Sequence, residues 1–260
     1  LKRNFKREFE EEDVLQITEK IKIGVTSIGR GSGATFISTS LAKTLAGQKK
    51  KAVAFAELRR GSGRGFLTYD SLGMDRRFLS GDFLSFYSFV KERRYIRGCR
   101  NMDGGINWAL MTPEENAEKL ALSPLEEARL INNIYGDIVI CDMGDDICRS
   151  RLDEMDIIIC VVDPMPSKLI GSRRIYQKLK EEELKGRGLI WVVNKYNGGV
   201  NRKHFKDYVR IKDPVVIPLM RPEYFYSAEY NCRLPCEQKE IKEKIRRPME
   251  EIAQKHILIT

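Results

Sequence analysis

The sequence predicts an α/β fold: a mostly parallel central sheet with helices on both faces, three layers in all. Three observations predict it. Seven short apolar runs, each bounded by turn residues, recur along the chain. The runs are continuous rather than alternating, the pattern of strands buried on both faces. Amphipathic stretches of helical length lie between several of them, and such alternation implies parallel pairing through helical crossovers.

Along the chain, residues 1–20 begin L-K-R-N-F-K-R-E-F-E-E-E-D and are expected to form a charged arm or helix. One domain is expected over residues 21–260. Its first strand is residues 22–26, followed by a glycine-rich turn and an amphipathic helix at 34–46. Strands follow at 52–57, 106–111 and 137–142, with a helix at 124–135 before the last of these. A strand at 156–162 leads through a proline turn into a basic helix at 166–184. Two more strands, at 188–194 and 215–218, precede a last helix at 238–256, which Pro248 is expected to interrupt. Ligands of such sheets lie at the carboxyl ends of the strands, so the residues just after strands one, two and four are the places to look.

Composition narrows the function classes. At 260 residues, with 42% hydrophobic and 32% charged residues, the chain has ordinary globular values. No apolar run approaches the roughly 18–20 residues of a spanning helix, and the start has no signal-peptide core. A cytoplasmic protein is expected. Cys141 and Cys160 lie in apolar strand runs and read as small core residues. Cys232 and Cys236 have no second pair, and the only histidines are His204 and His256, so a zinc site is not expected. The net charge of +9 suits an acidic partner, but acidic residues are plentiful too.

The chemistry concentrates after strand one, in I-K-I-G-V-T-S-I-G-R-G-S-G-A-T. Gly29, Gly31 and Gly33 let a loop curl with its N–H groups inward, Ser32 and Thr35 add hydroxyls, and a helix opens at Ala34. That is the layout of a phosphate-binding loop. The lysine such a loop carries before its Thr is missing: position 34 is Ala. Strand two ends at Glu57, placed to hold a metal-bound water or polarise an attacking one. Strand four reads D-I-V-I-C-D, with Asp142 where a carboxylate orders Mg²⁺. Strand six ends at Asn194, whose amide suits the edge of a purine.

Together these segments, from about residue 21 to 256, resemble the MinD/ParA group of P-loop ATPases, the deviant-Walker class of P-loop NTPases. The family reads K-G-G-x-G-K-T-T where this chain reads G-R-G-S-G-A-T-F, from Gly29 to Phe36. The resemblance puts the phosphate lysine on Ala34. The signature lysine, which in the family reaches a partner's nucleotide across a dimer, falls on Gly29, beside Arg30. The second-strand D-x-D falls on Glu57-Leu58-Arg59, the fourth-strand Asp on Asp142 and the adenine-contacting Asn on Asn194. Backbone at Ile217-Pro218 and Ala228-Glu229-Tyr230 would border the base. The loss of the lysine resembles TadZ-like members.

The resemblance implies ATP or ADP with Mg²⁺, held by Gly29, Arg30, Gly31, Ser32, Gly33, Ala34, Thr35, Phe36, Asn194 and Pro218. Thr35 and Asp142 would hold the metal, with Glu57, Asp142 and Arg30 as catalytic groups. One contact of the lost kind is worth about 3–4 kcal/mol in the transition state, so slow or absent hydrolysis is expected in a nucleotide-dependent switch or spatial organiser. A homodimer is implied. Non-specific DNA or an acidic protein is a candidate partner, through Arg202, Lys203 and Lys206, through Lys242, Lys244, Arg246 and Arg247, or through Arg93, Arg94, Arg97 and Arg100 with Tyr95. A membrane anchor in the last helix is not expected, because its face is only modestly apolar. Two rivals stand: an active ATPase in which Arg30 or a partner residue replaces the lysine, and a nucleotide-independent scaffold. A bacterial polysaccharide-type tyrosine kinase would need the lysine and a tyrosine-rich tail, and has neither here.

Overall fold

The computed structural model describes residues 20–58, 68–78, 81, 83–113 and 121–257. The expected arm before residue 20 and the basic residues Arg59, Arg60 and Arg64 lie outside these. Eight strands form one sheet: β1 (Ile21–Ser27), β2 (Val53–Glu57), β3 (Met102–Asp103), β4 (Ile106–Ala109), β5 (Ile138–Gly144), β6 (Ile157–Val162), β7 (Leu189–Tyr196) and β8 (Val215–Pro218). Their order is β3-β4-β2-β5-β1-β6-β7-β8. All pairs are parallel except β3–β4.

The continuous apolar runs are explained by burial on both sides. Ile23, Val25, Val53 and Phe55 face one core, with α1 (Ala34–Gln48) and α11 (Lys239–His256). Ala54, Ala56, Val139 and Cys141 face the other, with α4 (Phe86–Lys91), α5 (Pro124–Asn133), α6 (Arg149–Asp153), α8 (Arg173–Leu184) and α9 (Arg202–Val209). Successive side chains along a strand point to opposite faces, so one run serves two cores. Cys141 and Cys160 are fully buried in the second, and burial pushes both thiols up.

The helix expected over 166–184 is two. α7 (Pro166–Gly171) ends where the Ser172 N–H bonds Lys168 O, and α8 begins where the Tyr176 N–H bonds Ser172 O. Ser172 breaks the run at φ −98°, ψ 8°. Its hydroxyl sits where a Cβ on Gly29 would be only 2.5 Å away, so the break lets the chain pack against the glycine loop.

Pro248 does not interrupt the last helix, which runs unbroken over Lys239–His256. An interior proline costs about 3 kcal/mol. The stripe Ile241, Ile245, Met249, Ile252 and Ala253 is buried, and each large side chain returns about 1.5–3 kcal/mol. That stripe packs inside the core rather than facing outward.

The third apolar run is a strand only through Ala109. It is preceded by β3, which the sequence pattern did not suggest. Gly104 (φ +58°) and Gly105 (φ +83°) make the tight turn that pairs these two strands antiparallel.

Candidate functional site

β1 is the sheet's switch point. The chain leaves it through α1 toward β2 on one side, while β6, β7 and β8 follow on the other. The crevice at its carboxyl end is therefore open to a ligand, and the glycine loop, residues 28–33, occupies that end.

Three carbonyls of the loop are held by side chains, two of them from outside the loop. Gly29 O accepts from Ser27 Oγ at 3.0 Å and Ser32 Oγ at 2.7 Å. Ser32 O accepts from Asn194 Nδ2 at 2.8 Å. Gly31 O accepts from Lys195 Nζ at 2.5 Å and Lys168 Nζ at 3.4 Å. Gly31 (φ +72°) and Gly33 (φ +97°) take the left-handed backbone that this curl needs. A Cβ on Gly33 would lie 2.3 Å from Asn194 Nδ2. The amides of Gly31, Gly33, Ala34 and Thr35 bond to no protein acceptor among the described residues. Carbonyls tied outward and amides left over are the polarity of an anion cradle.

Thr35, on the first turn of α1, donates its hydroxyl to Asp142 Oδ2 at 2.6 Å. Asp142, two residues before the end of β5, is fully buried and also accepts from the Gly144 N–H at 3.2 Å. Glu57 pairs in register with Asp142 and is 2% exposed, with Thr68 donating to its Oε1 at 2.7 Å. The structure thus brings Thr35 and Asp142 together, with Glu57 on the neighbouring strand. Ala34 is buried and Arg30 exposed. Phe36 leans on Phe225 of α10 (Pro222–Tyr230), edge to face at 5.3 Å. Pro218 ends β8 opposite Tyr196. Glu229 and Tyr230 end α10 and line a cavity of about 500 Å³ that contains no loop residue.

Asn194 is 4% exposed, and its amide nitrogen is committed to the loop. Beside it lies a charged group that belongs to none of the sequence motifs. Asp163, at the end of β6, accepts from Lys168 at 2.8 Å and lies 3.3 Å from Lys195. Burial pushes its carboxyl up. The Lys168 hydrogen bond, the Met165 N–H and the charge of Lys195 outweigh that and hold it below its usual range. The signal in the sequence was a lysine directly after the strand-end Asn and another in the first turn after D-P-M-P. A cavity of about 600 Å³ opens beside this group, lined by Lys168 and Lys195 and by Met165, Leu169, Phe205 and Tyr208 among others.

A second charged group braces the segment after Asp142. Arg151, 2% exposed, forks onto Glu127 at 2.8 and 2.6 Å and reaches Asp146 at 3.0 Å. The basic residues proposed as partner surfaces on α9, on α11 and around Tyr95 are all exposed. Among the described residues no three His, Cys, Asp or Glu side chains form a metal-holding group, and no helix is long and apolar enough to cross a membrane.

No family model and no curated protein sequence matches the chain. Solved structures do. A ParA family ATPase from Chlorobium tepidum matches with a TM-score of 0.69 at 14% identity, over 89% of this chain and 99% of that one. The septum site-determining protein MinD from Pyrococcus horikoshii, complexed with Mg-ADP, matches with a TM-score of 0.67 at 13% identity, over 90% and 96%. A plasmid partition protein from Borrelia burgdorferi bound to AMPPNP matches with a TM-score of 0.65 at 15% identity, over 90% and 98%. Identity this low speaks to architecture: the chain has the P-loop α/β fold of the MinD and ParA ATPases.

Proposed function

We propose that this protein binds ATP or ADP with Mg²⁺ and works as a nucleotide-dependent switch or spatial organiser, with slow or absent hydrolysis. The observation that carries the reading is the glycine loop whose carbonyls are tied outward, set next to the Thr35–Asp142 pair. The inward amides take the phosphates. Thr35 and Asp142 are hard oxygen donors 2.6 Å apart, and Mg²⁺ takes one or two protein oxygens, with waters and phosphates completing its shell. The donor set fits the ion. Bound there, Mg²⁺ would neutralise charge on the phosphate oxygens.

In this reading the unbonded amides of Gly31, Gly33, Ala34 and Thr35, within the Gly29–Phe36 loop, position the phosphates, and the base lies toward Asn194 and Pro218. Glu57 orients a water beside Asp142. Ala34 supplies no charge to the transition state, which is the reason hydrolysis is slow. The fold's nucleotide-bound neighbours support the choice of ligand. The protein dimerises around nucleotide, with the exposed Arg30 turned to the partner. Were it an active ATPase, Arg30→Ala would abolish phosphate release.

A second reading, a scaffold for DNA or an acidic protein, is favoured by one surface. Arg94 packs over the Phe89 ring at 3.9 Å and Arg100 over Tyr135 at 3.8 Å, which holds two guanidinium groups in place near the exposed Tyr95.

Calorimetry with Mg-ATP and Mg-ADP tests the first reading, with Thr35→Ala and Asp142→Ala as controls. Micromolar binding lost in both variants supports it. No binding at millimolar nucleotide overturns it and turns attention to the arginine surface.

A further inference from the structure

Positive charge strengthens a phosphate loop, and this one lacks it at both positions where the resemblance expects a lysine, Gly29 and Ala34. Two lysines nonetheless reach the loop from elsewhere. Lys168 comes from the first turn of α7 and Lys195 from the end of β7, and both ammonium groups meet at the Gly31 carbonyl. Asp163, with its side chain 6% exposed, pairs with both and fixes their position. The group carries two positive charges and one negative, leaving a net +1 against the loop. The lysine side chains remain about one-third exposed, 33% and 36%, and both line the cavity of about 600 Å³. They stand between the loop and that cavity.

We propose that Lys168 and Lys195 are the cations of the phosphate site, moved from the loop to the start of α7 and the end of β7. The proposal rests on the nucleotide-binding reading above. A nucleotide with its phosphates on the loop and its nucleoside at the edge of the cavity formed by Lys195 and Leu219, the residues next to Asn194 and Pro218, passes both ammonium groups. Their hydrogen bonds go to the Gly31 carbonyl, so they act on the phosphates through charge across the loop rather than by contact. Asp163 holds the pair close together against their mutual repulsion. The geometry also separates two tasks that one loop lysine combines. Lysines on the carbonyl side of the loop strengthen binding, whereas the bridging position between β- and γ-phosphates stays empty at Ala34. The site is built to hold nucleotide rather than to cleave it.

The test is an affinity series with Mg-ATP, Mg-ADP, AMP and adenosine on the full chain. It compares the unaltered protein with Lys168→Met/Lys195→Met, Lys168→Arg/Lys195→Arg and Thr35→Ala, each checked for an unchanged melting transition. The Met pair should weaken ATP and ADP about tenfold or more, with adenosine nearly unaffected, and the Arg pair should recover most of the loss. Side chains that only shaped the loop by donating to the Gly31 carbonyl would be replaced by Lys168→Gln/Lys195→Gln, which keeps donors without the charge, so ATP affinity recovered in the Gln pair overturns the proposal. If the Met pair fails to fold, the single Lys168→Met change, at the more distant contact, carries the same expectation at smaller size. ATP affinity that falls in Thr35→Ala but is unchanged in the Met pair overturns this proposal and leaves the nucleotide reading standing. An unaltered protein that binds no nucleotide overturns both.

Discussion

Thr35 and Asp142 lie 107 residues apart in sequence and 2.6 Å apart in space, joined by a hydrogen bond at the carboxyl edge of the sheet. A hydrogen bond to a buried charge is worth about 1.5–3 kcal/mol. With Thr35 as an oxygen donor to Mg²⁺, Thr35→Ala should weaken Mg-nucleotide binding about tenfold to a hundredfold. Metal-free nucleotide should be less affected, and a titration with and without Mg²⁺ separates the two.

Ala34→Lys should restore a cation at the first turn of α1, where the side chain now present is buried. Phosphate release should rise by about a hundredfold or more, the size of one electrostatic contact in the transition state. A steady-state phosphate assay reads it directly. No change would mean that more than this lysine is missing from the catalytic apparatus.

Gly33→Ala puts a Cβ into a left-handed residue and 2.3 Å from the Asn194 amide. The backbone strain costs about 1–3 kcal/mol, and Asn194 must release Ser32 O. A lower melting temperature and weaker nucleotide binding should appear together.

Arg151→Met leaves Glu127, 5% exposed, without its bidentate partner. Breaking a buried pair from one side costs about 3–5 kcal/mol. Chemical denaturation should show that loss, and the double change Arg151→Met/Glu127→Leu should recover most of it, since an apolar pair of similar size leaves no buried charge.

Asp163 has its carboxyl held below the usual range. A group depressed on folding stabilises the protein above its unfolded value, near pH 4, and the contribution disappears as pH falls through the folded value. The stability gap between the unaltered protein and Asp163→Asn should be constant at neutral pH and close below about pH 4. A gap that widens on acidification would contradict the assignment.

The sequence carried much of this. The apolar runs marked the long strands because strands buried on both faces must be apolar throughout. The loop was legible because its glycines cluster in a short span, and Asp142 because it ends such a run. The two-residue β3 was not legible, since its pairing depends on one glycine turn. The break at Ser172 follows from close packing on Gly29, and the continuity through Pro248 from the core the helix fills. Neither is a local property.

Taken alone, the sequence determined the sheet-and-helix plan, the glycine loop and the absence of a lysine at position 34, for these are matters of residue type and spacing. Only the tertiary structure decided that Asn194 turns its amide to the loop and that Lys168, Lys195 and Asp163 gather at Gly31. The reason is topological. Parallel pairing places the end of β6 beside β1 and the end of β7 one strand further, so charges more than 130 residues downstream reach a loop that lacks its own.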